Sequence, residues 1–388
     1  MEKAEQIRLL KELMAHLDAG TNVDAGGIRR NPSRVYTCPD LAAKEWDQLF
    51  RAHPQVVGMG ADLPEPGCFF TRRDFGLPLL ATRDDEGRFR AFANVCRHRG
   101  AVVESEARGR KKRFSCLFHG WTYDASGALV GVPKPEHFGR IDRSCHGLLE
   151  LPAEERCGFL WVHPRPDGKL DAAQLLSGLA PEFEAWRFDR LVLTGEDVYD
   201  TPLNWKLAID TFGETYHFKV LHRNSLAEFF HGNVQAYDTF GRNHRMTLCL
   251  KAIDELRGTP EETWHVSQGA FPVYYLFPNV QVNVGLGGVT LVRVYPVPGE
   301  PGRSVSKVSF YNWPWVLREE PGRVVELQKA FGEVIRDEDY VAAAASQVGA
   351  ESGLQETVVF GRNEPALHHY HNTYREALGM ELLPLLEG

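Results

Sequence analysis

The sequence predicts an α+β protein: a compact all-β unit followed by a larger unit of helices and antiparallel sheet. Three observations predict it. A chain of 388 residues, 43% hydrophobic and 25% charged, has a globular composition and length for two or three cores at roughly 150 residues per domain. From Pro54 to Pro164, short runs rich in Val, Phe, Leu and Trp are punctuated by Gly, Pro and Asp, the texture of closely spaced strands. Beyond Pro164, apolar runs alternate with stretches of helical periodicity.

Taken in order, residues 2–17 read as an amphipathic helix with Ile7, Leu10, Met14 and Leu17 on one face. Gly20, Gly26, Gly27 and Asn31-Pro32 break it into a loop, and a second helix follows over residues 42–51. Residues 77–82, 89–95 and 158–163 are strand candidates of the β unit. Residues 204–222 read as helix, 273–277, 280–284 and 289–295 as three strands between Pro-Asn and Gly-rich turns, and 305–313 as another. A long helix is predicted over 323–348 and a terminal one over 368–378, where His368-His369-Tyr370-His371 forms a polar edge. The expected division is residues 1–40, a helix and loop packing on the larger domain, then 41–165 and 166–388.

With 44 Lys and Arg against 52 Asp and Glu, the net charge is −8, so no broad basic surface for nucleic acid or anionic membrane is expected. No run of about 18 apolar residues occurs, and the charged opening segment lacks the apolar centre of a secretion signal. Seven cysteines are an odd, sparse set in a chain this long, which excludes a disulfide framework. A cytoplasmic protein is expected.

Two cysteines have histidines at short spacing: Cys96-Arg-His98-Arg-Gly100 and Cys116-Leu-Phe-His119-Gly120-Trp121-Thr-Tyr. Each pair joins one thiolate to one imidazole. Two Cys on one iron and two His on the other is the ligand set of a Rieske [2Fe–2S] centre, whose neutral imidazoles raise the reduction potential. Gly100 and Gly120 suit tight turns that bring backbone N–H groups toward bridging sulfides. A tetrahedral zinc site uses the same residue types, but common zinc modules pair Cys with Cys and His with His. Cys-Arg-His-Arg-Gly and Cys-x-x-His-Gly-Trp-x-Tyr resemble the Rieske half of the ring-hydroxylating oxygenase α subunits, the terminal oxygenases of the Rieske non-haem iron family.

That resemblance implies a mononuclear iron site in the second domain. Asn204-Trp-Lys and Glu214-Thr-Tyr-His217-x₄-His222 are similar to the family's Asn-Trp-Lys…Glu-x-Tyr-His-x₄-His, which makes His217 and His222 the imidazole ligands. Five residues apart, they converge only if the helix ends or distorts near His222. Asp339, in a stretch similar to the family's Glu-Asp-x₇-Gln ending at Gln347, is implied as the carboxylate, with Asp337 in reserve. Ala344 stands where an acid is common. Two His and one carboxylate leave adjacent positions on Fe(II) for O₂ and substrate. Glu214 is implied as the acid bridging this site to a Rieske histidine of the neighbouring subunit, and Asp210 as a supporting acid or a helix-face charge.

The implied enzyme takes electrons singly from a separate flavin/iron–sulfur reductase or ferredoxin, stores them in the cluster, and uses O₂ to hydroxylate an aromatic or other small organic molecule. Head-to-tail contacts close into rings, and the resemblance makes this ring a homotrimer. Glu214 in place of Asp resembles the carnitine, choline and betaine branch, so a quaternary-amine monooxygenase or N-demethylase of the same family is the alternative. An electron carrier using the β unit alone is another, disfavoured by about 220 further residues. A zinc-stabilised binding module is the third. Phe229, Phe230, Trp264 and the sheet at 271–295 are candidate substrate walls, since aromatic faces stack on rings and cage quaternary ammonium groups.

Overall fold

Short apolar runs broken by turn residues fold residues 47–175 into three small antiparallel sheets. In the computed structural model, which describes residues 1–285 and 287–387, the chain divides into two units. One comprises Asp47–Leu175 with Arg187–Arg190; the other comprises Met1–Trp46, Leu176–Trp186 and Leu191–Gly388. The first holds a five-stranded sheet ordered Glu150–Leu151, Phe89–Ala93, Leu79–Arg83, Cys68–Arg72, Arg108–Arg110, and two three-stranded sheets. The sheet Arg113–Ser115, Thr122–Asp124, Leu129–Gly131 carries one metal-ligand loop at its first turn. Phe69, Leu80, Phe92, Phe114, Trp121 and Tyr123 form a core that also buries Cys96 and Cys116.

The larger unit is built on a seven-stranded antiparallel sheet. Its order is Val192–Thr201, Glu300–Asn312, Gly288–Val297, Val280–Gly285, Ala270–Leu276, Asn243–Leu250, Phe230–Phe240. Alternation along the strands separates two faces. Ala236, Cys249 and Ala270 pack with Leu9, Leu10, Leu13 and Met14 of the helix Lys3–Ala19, while their neighbours Tyr237, Leu248 and Phe271 join a cluster around Phe218 and Phe230. Trp264 lies in the first group, so this candidate substrate wall is instead core beneath the N-terminal helix.

The three predicted strands between residues 273 and 295 form with somewhat longer ends. The helix predicted over 204–222 is corrected: only Trp205–Asp210 is α-helical, and Tyr216–Lys219 is a separate 3₁₀ turn. At the break, a Cβ on Gly213 would run into the side chain of Leu367 on the terminal helix and crowd Asp210 O, so glycine lets that helix approach without displacing Leu367. The long helix is present as Pro321–Glu333 and Tyr340–Glu351, joined through a π-helical turn at Val334–Asp339. π-turns inside α-helices frequently mark functional sites. No helix among the described residues is long and apolar enough to cross a membrane.

Candidate metal centres

The two Cys–His loops share one backbone plan. Cys96 N donates to Ala101 O at 2.8 Å and Gly100 N to Cys96 O at 3.0 Å. In the second loop Cys116 N donates to Trp121 O at 2.9 Å and Gly120 N to Cys116 O at 2.8 Å. Each turn closes on a glycine at positive φ, +77° at Gly100 and +70° at Gly120, a region side chains with a Cβ rarely adopt. The shared plan buries both thiols and leaves both imidazoles partly exposed. The rings of His98 and His119 meet edge to face, centroids 4.6 Å apart, and His98 stacks on Trp121.

These residues fit a cluster on three grounds. Nδ1 of His98 is buried without a hydrogen-bond partner among the described residues, an unsatisfied atom that a metal bond would occupy. Burial lowers the His98 pKa, with His119 and Arg99 adding to it, favouring the neutral, ligating form. Tyr123 Oη lies 3.4 Å from Cys96 Sγ, within reach to donate a hydrogen bond to a thiolate.

In the larger unit, His217, His222 and Asp339 each bring one donor atom to a common point. His217 Nε2 and His222 Nε2 are 3.1 Å apart, and Asp339 Oδ1 stands 3.2 Å from the latter and 3.4 Å from the former. The segment is fixed from both ends. Asn204 caps the short helix by accepting from Lys206 N at 2.9 Å, and its own N–H donates to Gln347 Oε1 at 3.0 Å, tying the histidine segment to the helix that carries Asp339. Trp205 Nε1 and Lys206 Nζ both donate to the buried Glu45, at 2.9 and 2.7 Å.

Each imidazole is backed by an acid at its far nitrogen. His217 donates through Nδ1 to Glu214, and His222 donates through Nδ1 to Glu338 Oε2 at 2.6 Å. With both Nδ1 protons so engaged, neutral rings would aim two bare Nε2 lone pairs at each other and at a carboxylate. Only a shared cation relieves that repulsion. In the metal-free protein the cation is a proton. Burial works against it, but the hydrogen bonds that His217 donates to Asp339 and Glu214 prevail and lift its pKa to about 9. The donor set matches the 2-His-1-carboxylate site of non-haem iron oxygenases.

Other predicted positions lie elsewhere. Asp210 makes no hydrogen bond to these histidines; it accepts from Tyr36 Oη at 2.9 Å and from His371 Nε2 at 2.8 Å. It therefore braces the end of the short helix, and a role at the metal site is not where the structure puts it. Asp337 is exposed and pairs with Arg336 at 2.5 Å. Sequence reasoning assigned nothing to Glu338, although it belongs to the Glu-Asp pair of the motif; the polar edge expected at residues 368–371 is corrected, since His368, Tyr370 and His371 are buried and His371 packs onto Asp210.

A family model of the Rieske [2Fe-2S] domain matches residues 53–147, and one of the ring hydroxylating alpha subunit, catalytic domain, matches residues 188–380. The chain is a Rieske oxygenase α subunit. It is an oxidoreductase carrying both the [2Fe–2S] domain and the mononuclear-iron catalytic domain. Members of this family are terminal oxygenases that need a separate reductase and work as oligomers. This oxygenase is 25% identical over 358 residues to choline monooxygenase of Beta vulgaris, covering 89% of this chain and 76% of the relative. It is 27% identical over 363 residues to putrescine 2-hydroxylase of Ralstonia nicotianae, covering 89% and 95%. Its fold is similar to a crystal structure of a quaternary ammonium Rieske monooxygenase with an inhibitor, at a TM-score of 0.79 and 21% identity, covering 91% of this chain and 96% of that one.

Proposed function

We propose that this oxygenase hydroxylates a small aliphatic amine, with a quaternary ammonium compound as the best-fitting substrate. Cys96 and Cys116 hold one iron of the cluster, His98 and His119 the other, and His217, His222 and Asp339 hold the mononuclear iron. The convergence of the last three donor atoms carries the reading. When bound, the cluster supplies electrons and the mononuclear iron activates O₂ for insertion into a C–H bond. Glu214 orients His217 and keeps its Nε2 free of a proton when metal is present.

The substrate reading is supported by the choline monooxygenase and putrescine 2-hydroxylase relatives and by the lining of a half-open cavity of about 60 Å³. Phe271, Phe310 and Phe331 face it with Asn283, and none of its lining side chains is charged. A chain of packed rings links this lining to the metal ligands: Phe271 packs on Phe230, Phe230 on Phe218, and Phe218 on both His217 and His222. A quaternary ammonium has no N–H to satisfy and binds aromatic faces. The same neutral lining favours a second reading, an aromatic substrate stacked on the phenylalanines. Reductant-dependent O₂ uptake and product mass, measured with quaternary amines, primary amines and small aromatics, separates them. Turnover of aromatics alone overturns the amine reading.

A head-to-tail homotrimer completes the proposal. Leu117 and Phe118 at the cluster loop are 89% and 57% exposed. Arg97, Arg99, Lys112, Arg113, Lys134 and Arg140 of the same unit are exposed and make no ion pair among the described residues, in a chain of net charge −8. Beside His217 a recess of about 520 Å³ is walled by Val220, Leu221, Arg223, Asn224 and Glu338, and Tyr216 and Val220 are exposed there. One copy's apolar, basic tip docks at the next copy's recess, and a separate flavin/iron–sulfur reductase or ferredoxin refills the cluster. Phe118→Glu is expected to shift sedimentation toward monomer and stop turnover while the cluster spectrum persists; a fully active monomer overturns the ring. Seven free cysteines support a reducing, cytoplasmic location.

A further inference from the structure

Glu338 precedes Asp339 in the chain, and on a regular α-helix consecutive side chains diverge by about 100°. Here both reach the same histidine. The π-turn Val334–Asp339 is the reason: closed by longer-range hydrogen bonds than an α-turn, it is wider and splays neighbouring side chains less. Asp339 Oδ1 meets His222 at Nε2, while Glu338 Oε2 meets the opposite nitrogen, Nδ1, at 2.6 Å. The same Glu338 oxygen accepts from Ser225 Oγ at 2.7 Å, and Ser225 N donates to His222 O at 3.0 Å. Glu338 thereby closes a ring of hydrogen bonds across the His222–Ser225 turn.

We propose that Glu338 is the positioning residue of His222. By accepting the Nδ1 proton it fixes the tautomer that leaves Nε2 as the donor atom, and Ser225 holds the carboxylate in that orientation. Carboxylates behind metal-binding imidazoles also raise ligand basicity. Glu214 does this for His217, so the two imidazoles are buttressed independently, one acid from their own segment and one from the helix that supplies the third ligand. An acid serving only the helix surface would stay solvated; Glu338 gives one oxygen to two donors, one of them on a fully buried ring. The proposal rests on His217, His222 and Asp339 being the metal ligands.

The test uses full-length protein stripped of its mononuclear metal, with the cluster retained, titrated with Co²⁺ against a chelator. Glu338→Ala is expected to weaken Co²⁺ binding by about 10–100-fold, the usual cost of removing such a partner, with altered visible Co²⁺ bands and an unchanged cluster spectrum. Glu338→Gln still accepts through its carbonyl oxygen and should fall between the two, and Ser225→Ala should lose less than Glu338→Ala. Glu338→Ala binding as tightly as the unaltered protein overturns the proposal. His222→Ala is the control: if it keeps full affinity, the ligand assignment itself fails, a result distinct from failure of the Glu338 role alone.

Discussion

Two pairs of histidines serve this protein, and their surroundings are opposite. His98 and His119 sit on turns of the β unit, packed on aromatic rings, with no acid hydrogen-bonded to either among the described residues. His217 and His222 each hydrogen-bond an acid at the far nitrogen and share a third at the near one. Neutral, aromatic-packed imidazoles suit a centre that accepts electrons at comparatively high potential. Acid-backed imidazoles are more basic and suit tight retention of a divalent ion with open positions. The difference is also one of assembly: each cluster loop is built by a turn of a few residues, whereas the second site draws His222 and Asp339 from positions 117 residues apart.

Breaking one site should leave the other intact, and this is the largest expected effect. Asp339→Ala removes the carboxylate ligand from the second site. Product formation should fall below detection, and iron should drop from about three to about two per chain, with the cluster's absorption and electron paramagnetic resonance signal unchanged. Cys116→Ser should do the reverse, losing acid-labile sulfur while the stripped second site still binds Co²⁺. Loss of both centres in either variant would remove the independence inferred from their separate construction.

The long-range site depends on its braces, and the deepest of these is the pair Lys206–Glu45, with side chains 0% and 1% exposed. Burial lowers the Lys206 pKa against the opposing pull of Glu45. Lys206→Met leaves the Glu45 carboxylate buried with Trp205 Nε1 as its remaining donor, and should cost about 3–5 kcal/mol, the usual penalty for stranding one buried charge. Thermal unfolding followed at tryptophan should show the loss. Replacing both partners with apolar residues should recover much of it, because a buried pair is worth little over a well-packed apolar substitute.

The same contrast explains what the sequence made legible. Cys96, His98, Cys116 and His119 could be read directly, because mixed Cys–His spacing within single turns encodes the ligand set locally. His217, His222 and Asp339 became readable only through resemblance, since nothing local says which of Asp337, Glu338 and Asp339 turns inward; that is decided by the π-turn. The break after Asp210 was hidden because Phe212, Tyr216 and Val220 continue an apolar pattern, and Gly213 was its one local signal. The edge strand Val192–Thr201 escaped notice because Glu196, Asp197 and Asp200 interrupt the alternation expected of a half-buried strand. Phe230–Phe240 carries a register shift between Phe230 and Gln235 at Gly232-Asn233, with Asn233 at φ +62°, so its apolar residues fall out of period.

A smaller effect probes the cluster side. Tyr123 Oη lies 3.4 Å from Cys96 Sγ and accepts from Arg97 N at 2.9 Å. A hydrogen bond to a thiolate ligand stabilises the reduced cluster. Tyr123→Phe should therefore lower the reduction potential by some tens of millivolts, on the order of 1 kcal/mol for one electron, without changing mononuclear metal content. A potential that stays put would show that the hydroxyl only supports the Arg97 backbone.

The smallest effect lies on the far face of the catalytic sheet, where fully buried Arg245 binds Glu182 at 2.5 Å, Asp238 at 2.7 Å and also Glu5. The Glu5 pKa falls to about 2, chiefly through its hydrogen bond with Arg8 and also through Arg245, against the upward push of burial. A carboxylate whose folded pKa lies below its unfolded one stabilises the fold above the unfolded value, and loses that contribution as pH falls through the folded value. Glu5 is about one-third exposed, so solvent screening trims its contribution to at most about 1 kcal/mol. Glu5→Gln should thus lower the melting temperature slightly at neutral pH, and the gap to the unaltered protein should close between about pH 4.5 and pH 2. A gap that instead widens on acidification would mean that Glu5 binds its proton more readily in the folded state, and that Arg245 is neutralised by Glu182 and Asp238 alone.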